Sequence, residues 1–240
     1  MRTVVYIDGF NLFYNALKRS SYKWLDLNRL CEIVLPHECD IKKINYYTAN
    51  VKDRTNNPGT LNRQNTYLRA INAHCPNLEI IKGHYTEHAK LSPMVTPGGE
   101  LDKKDVSGRG RELSSFNKRL FAKMNKWMTD PGPRIHVINT EEKGSDVNLA
   151  VHLVNDGWKD VYDCCVVISN DSDMAEGMRI VKEELGKKVI LVNTWKQRPT
   201  SHLKRYASIV RTAKKSAFAK SQMPNPIPGT KIHKPEDWES

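Results

Sequence analysis

None of the apolar runs in the 240 residues approaches the roughly 20 residues that a membrane-spanning helix needs, and the mean hydropathy is −0.61. A transmembrane anchor is excluded on that count. The first residues also lack the basic, apolar, small-residue order of a secretory signal, because Asp8 and Asn11 interrupt the apolar stretch early, and the expected setting is cytoplasmic. The five cysteines are odd in number and form no CxxC pair, which argues for reduced thiols rather than a disulfide framework. Cys31, His37, Cys39 and Cys75 match no standard zinc spacing. A glycine-rich GxGxxG turn is missing after the first apolar run, so no dinucleotide fingerprint is present there. The same turn, "DGFNL", lacks the second aspartate two residues on that a haloacid-type phosphatase would carry. Internal repeats and heptads are absent too.

Negative charge is in short supply. Against 27 Asp and Glu stand 38 Lys and Arg, a formal net charge of +11 that favours polyanionic partners, nucleic acid above all. From Trp195 to Lys220 there is no acidic residue at all.

What is present is an alternation of short apolar runs with longer helical stretches, the mark of an α/β domain built on a mostly parallel sheet. Strands are expected at Thr3–Ile7, Ile44–Thr48, Leu78–Lys82, Cys164–Ser169 and Lys188–Val192. Helices are expected at Asn11–Lys18, Leu27–Val34, Thr60–Ala73, Val147–Trp158 and Met174–Leu185, the last closed by Gly186 as a C-cap. Residues 88–133, rich in Pro, Gly and charge with a helix expected at Leu113–Trp127, read as an insertion in a domain of residues 1–220. Residues 221–240 carry prolines that forbid regular structure and read as an extended tail lying on the domain.

Aspartates gather where the core strands end. Asp8 closes the first strand, and Asp171 and Asp173 follow directly on "CCVVI". Asp146 opens a helix behind Gly144 and Ser145. Ligands of open α/β sheets bind beyond the carboxyl ends of the strands, where strand order reverses, and all four residues are expected to converge there. A carboxylate cluster repels itself unless a cation is present, and an oxygen-only donor set suits Mg2+ or Mn2+. Each aspartate taken singly also fits a helix cap or a partner of the helix dipole. Asn11, three residues after Asp8, could equally be an ordinary helix-start residue or an amide that holds a ligand or water.

"YIDGFNLFYNAL", "EEKGSDVNLAVHL" and "VVISNDSDMAEGMRIVKEELGKKVILV" together resemble the NYN domain family of PIN-like nucleases, and "SQMPNPI" with "KPEDW" resembles the tail of its bacterial members. The resemblance implies a Rossmann-like three-layer α/β/α sandwich and a metal-dependent ribonuclease. It places the family's acidic site on Asp8, Asp146, Asp171 and Asp173, with Asn11 beside it. Asn170 stands where the family pattern has glycine, Met174 where it has an aromatic residue, and His152 where many relatives carry another acid. The last difference favours one strongly held ion over two.

The basic residues would then form a rim for a phosphodiester backbone. Lys143 adjoins the acidic site, Arg109 and Arg111 lie in the insertion, and Lys196, Arg198, Lys204 and Arg205 follow the last expected strand. Each basic run also fits a merely solvated face. The expected activity is endonucleolytic cleavage of single-stranded or structured RNA. A non-catalytic RNA-binding module on the same fold is the first alternative. A second is a different enzyme, since some bacterial NYN proteins are described as hydroxylases of pyridine breakdown. Association of identical chains is left open.

Overall fold

The first strand, β1 (Arg2–Asp8), is buried from Thr3 onward, and its side chains divide between two cores. Val5 and Ile7 join one apolar cluster, Val4 and Tyr6 the other, as expected of a strand covered on both faces. In this computed structural model, residues 1–51, 53, 58–93 and 134–238 are described.

After β1 come α1 (Gly9–Leu12), which runs on as a π-helical turn over Phe13–Leu17, then α2 (Leu27–Val34), β2 (Asp40–Thr48), α3 (Thr60–His74) and β3 (Leu78–Lys82). Two further strands, β4 (His84–Pro93) and β5 (Arg134–Lys143), pair with each other. The chain continues through α4 (Ser145–Trp158), β6 (Cys164–Ile168), α5 (Ala175–Arg179, followed by a π-helical turn over Ile180–Glu184), β7 (Lys188–Thr194), α6 (Ser201–Tyr206), β8 (Ile209–Ala213) and α7 (Lys215–Lys220).

Six strands form one sheet in the order β3-β2-β1-β6-β7-β8, and every pairing is parallel. One cluster packs α2, α3 and α7 on one face, while the other packs α4, α5 and α6 on the opposite face. This is the three-layer α/β/α sandwich expected from the sequence. From β1 the chain steps outward to β2 and β3, and from β6 it steps the other way to β7 and β8. The order therefore reverses between β1 and β6, which makes the crevice beyond their carboxyl ends the binding position of such sheets.

All five expected strands are present. The sixth, β8, has only two apolar residues before Arg211 and Thr212, and as an edge strand it leaves Val210 exposed, so hydrophobic patterning is silent about it. By contacts the chain forms two compact units, Met1–Tyr85 with Glu142–Ser240, and Thr86–Glu141. The expected helix Leu113–Trp127, Arg109 and Arg111 lie outside the described residues. Within the first unit, the residues after α7 pack on the sheet domain. Met223 N donates to Trp24 O at 2.9 Å, Trp24 Nε1 donates to Pro224 O at 3.0 Å, and Trp238 meets the rings of Trp24 and Tyr67.

Candidate active site

Asp8 is the last residue of β1 and only 6% exposed. It caps α1, its Oδ1 accepting from Asn11 N at 2.9 Å. The turn that puts it there needs glycine at the next position. A Cβ on Gly9 would lie 2.6 Å from Tyr46 Cζ and 2.7 Å from the Tyr47 carbonyl oxygen, both on the neighbouring strand β2. Burial raises the Tyr46 phenol well above its ordinary pKa, and the negative charge of Asp8 adds to the shift.

The second oxygen of Asp8 reaches across the crevice. Its Oδ2 accepts from Ser169 Oγ at 3.0 Å, and Ser169 Oγ accepts in turn from Asp171 N at 3.1 Å. Asp171 Oδ1 then accepts from Asp173 N at 3.0 Å and caps the short 3-10 turn Ser172–Met174. A buried serine thus ties the end of β1 to the loop after β6. Asp171 is half-buried and Asp173 exposed, so both differ from Asp8 in their access to solvent.

Asp146 arrives from another element at the same edge. Gly144 sits at φ 95°, a left-handed conformation that costs other residues about 1–2 kcal/mol. It starts α4 abruptly, and the buried Ser145 donates its hydroxyl to Thr48 O at the end of β2, at 3.1 Å. Asp146 follows in the first turn of α4, half-buried, where the positive end of the helix dipole favours a carboxylate.

These are all oxygen donors, the chemistry of a hard divalent cation. A carboxylate has about four acceptor sites, so the hydrogen bonds to Asp8 and Asp171 are compatible with an additional cation. Among the described residues no three His, Cys, Asp or Glu side chains close into a ready ligand group. Asp8, Asp146, Asp171 and Asp173 lie at the carboxyl edge of the sheet, but no three of them form such a group.

Amides line the other side of the crevice. Asn11 Oδ1 accepts from Asn170 N at 3.0 Å and from Asn15 Nδ2 at 2.8 Å. Gln197 Nε2 donates to Asn15 Oδ1 at 2.7 Å, and Asn170 Nδ2 donates to Gln197 Oε1 at 2.9 Å. Asn193 Nδ2 donates to Gln197 O at 2.9 Å. A cavity of about 10 Å³ lies among Asn11, Ser169, Asn170, Asn193, Thr194 and Gln197, about the space for one water. Sequence reading did not single out Asn15, Ser169, Asn193 or Gln197. The available signal was polar residues just past β6 and β7, in "SND" and "NTWKQ", and the four-residue spacing of Asn11 and Asn15 on one helix.

The basic residues divide. Lys143 is exposed at the end of β5, just before Gly144. Lys196 and Arg198 are exposed in the loop after β7, at the carboxyl edge, where Lys196 Nζ donates to Ala16 O at 3.2 Å and lies over the Trp195 ring. Lys204 and Arg205 are exposed in the last turn of α6. There the chain has returned to the amino end of β7, since Ser208 N donates to Val189 O at 2.7 Å. The fold therefore places Lys204 and Arg205 at the edge of the sheet away from Asp8. Trp195 packs edge-on against Phe218 and Tyr22, and Tyr206 is buried, so both rings serve the core.

The sequence profile of the NYN domain matches residues 70–212, more than half of the chain. The chain belongs to the NYN domain family. The match takes in Asp146, Asp171 and Asp173 and begins after β1, so Asp8 and Asn11 lie outside it. Family membership carries a nuclease-like function. The chain is also 28% identical over 263 residues to 6-hydroxy-3-succinoylpyridine 3-monooxygenase HspA of Pseudomonas putida, covering 99% of this chain and 75% of that protein. A crystal structure of a Vibrio parahaemolyticus protein of unknown function is similar with a TM-score of 0.47 and 12% identity, over 88% of this chain and 91% of that one. Among the described residues of this NYN protein, no helix is long and apolar enough to cross a membrane.

Proposed function

We propose that this NYN protein is a ribonuclease that hydrolyses RNA phosphodiester bonds with Mg2+ or Mn2+ held by Asp8, Asp146, Asp171 and Asp173. The observation that carries the reading is the buried Asp8 carboxylate at the reversal of strand order, hydrogen-bonded through Ser169 to the loop bearing Asp171 and Asp173. A bound divalent ion would supply a water of lowered pKa and offset the charge that builds on the phosphate. The chain's own residues do the rest. Asp8 is held in one orientation from both sides of the crevice, and Asp171 and Asp173 bring carboxylates from the solvent side. Asn11 offers an amide next to Asp8. Lys143, Lys196 and Arg198 rim the carboxyl edge and would neutralise phosphates, so RNA binding weakens as salt rises.

The test is cleavage of an end-labelled mixed RNA pool with Mg2+ or Mn2+, with chelator, and with Asp171→Asn as control for a contaminating nuclease. Metal-dependent cleavage that leaves 5′ phosphate and 3′ hydroxyl ends and is absent in the variant supports the reading. Cyclic phosphate ends would refute it. RNA binding with no cleavage in any metal would make the protein a binding module instead.

The Pseudomonas putida relative favours a second reading, oxygenation of a hydroxylated pyridine. The turn after β1 reads Asp8-Gly9-Phe10-Asn11 and lacks a glycine-rich dinucleotide pattern, which counts against a flavin or nicotinamide at that turn. Turnover of 6-hydroxy-3-succinoylpyridine with a reduced nicotinamide supplied would support it and displace the ribonuclease reading.

A further inference from the structure

The amides beside Asp8 form a closed ring whose hydrogen bonds all run in a defined direction. Asn170 N donates to Asn11 Oδ1, Asn15 Nδ2 donates to the same oxygen, Gln197 Nε2 donates to Asn15 Oδ1, and Asn170 Nδ2 donates to Gln197 Oε1. A side-chain amide can turn over and exchange donor for acceptor, so such a ring could in principle run either way. Two backbone groups prevent it. Asn170 N is a main-chain N–H that can only donate, which obliges Asn11 to present its oxygen. Arg198 O is a main-chain carbonyl that can only accept, and it takes a bond from Asn170 Nδ2 at 3.3 Å, which obliges Asn170 to present its nitrogen. With both ends set, Asn15 and Gln197 have one orientation each.

We propose that Asn15 and Gln197 are positioning residues. They hold the Asn11 carbonyl oxygen inside the ring and so leave its Nδ2 donors for a group outside it, a non-bridging phosphate oxygen of the bound RNA. The proposal rests on the ribonuclease reading for the identity of that group. Among the described residues Asn11 Nδ2 makes no hydrogen bond within the protein, whereas its oxygen accepts two. The ring also gives Asn170 a function of its own at a position where the family pattern has glycine. Its side chain links the loop after β6 to the loop after β7, and neither a glycine nor an alanine could do so.

The decisive comparison is Asn15→Ala against Asn15→Asp. Alanine deletes one bond and leaves Asn11 oriented by the Asn170 N–H. Aspartate still accepts from Gln197 Nε2 but cannot donate, so its oxygen faces Asn11 Oδ1. Asn11 is then driven to turn its Nδ2 inward, and Asn170 N–H loses its acceptor. Gln197→Glu applies the same reversal one step further round, because Glu cannot donate to Asn15 Oδ1.

Two readouts are taken on full-length protein after thermal melts show each variant folded. In 15N NMR, exchange protection of the Asn170 backbone N–H is expected in wild type and Asn15→Ala and lost in Asn15→Asp. In RNA cleavage, Asn15→Ala is expected to lose about threefold, while Asn15→Asp and Gln197→Glu lose about 100-fold in kcat with KM little changed, the scale of a misplaced reacting group. Asn11→Ala should match the larger loss. Equal effects of Ala and Asp at position 15 on both readouts would overturn the ring. Lost Asn170 protection with kcat no lower than in Asn15→Ala would keep the ring and overturn its positioning role. A wild type that neither cleaves nor binds RNA, with the NMR change intact, would refute the ribonuclease reading and the phosphate assignment of Asn11 while leaving the ring itself established.

Discussion

Ser169→Ala is the most direct probe of the carboxylate array. The hydroxyl is buried, donates to Asp8 Oδ2 at 3.0 Å and accepts from Asp171 N at 3.1 Å. A hydrogen bond to a charged group contributes about 1.5–3 kcal/mol, and leaving a buried N–H without an acceptor costs about 1–3 kcal/mol. The two terms overlap where water enters the gap, so the expected loss is about 2–4 kcal/mol. Urea unfolding followed by circular dichroism reads it as a lower midpoint at unchanged slope. The link also predicts coupling. In Asp8→Asn the charge that Ser169 serves has gone, and adding Ser169→Ala to it should cost clearly less than Ser169→Ala alone, with an interaction of 0.5 kcal/mol or more, about the lower end for contacting residues. A single-variant loss below about 0.5 kcal/mol, within the range of an ordinary surface change, would refute the argument that this serine holds the two strand ends together.

Gly9→Ala should destabilise by about 1–3 kcal/mol, the range for overpacking, although alanine normally improves a helix over glycine. The added Cβ meets the Tyr47 carbonyl oxygen at 2.7 Å, and main chain in a central strand cannot move aside cheaply. A melting temperature at or above wild type would show the turn to be looser than described. At the other edge of the sheet, the Arg2 guanidinium and its backbone N–H hold the Asp163 carboxyl at about 2, against an ordinary value of 3.8. A depressed pKa in the folded state means that the stabilisation is present above pH 4 and is lost as the pH falls toward 2. Melting temperature against pH should therefore be flatter over that window in Asp163→Asn than in wild type. Because the pair is exposed, the difference should shrink at high salt, and identical curves at low salt would remove the pair from acid stability.

How much of this was legible beforehand depended on the range of the interaction concerned. The central strands β1 and β6 declared themselves because a parallel strand covered on both faces must be a continuous apolar run, as "TVVYI" and "CCVVI" are. The edge strand β8, with exposed Val210, Arg211 and Thr212, has no such need, and β4, "HYTEHAKLSP", shows no apolar run to read. The place of Asp8, Asp171 and Asp173 at the carboxyl edge of the sheet was legible by the same logic, since each ends or closely follows a core strand. What could not be read were roles created by juxtaposition. Ser169 matters because residue 8 lies opposite it across the crevice, and Gln197 matters because Asn15 does, 182 positions earlier in the chain. Lys204 and Arg205 show the converse. Closeness in sequence to Lys196 and Arg198 suggested one basic rim, but the short helix α6 carries them back to the amino end of β7, and a phosphate backbone lying over Asp8 would meet the first pair and not the second. Charge reversal separates the two groups physically. Lys196→Glu with Arg198→Glu should weaken RNA binding and lower its salt dependence, whereas the same change at Lys204 and Arg205 should leave the salt slope almost as it was, because only contacts that displace counterions enter that slope.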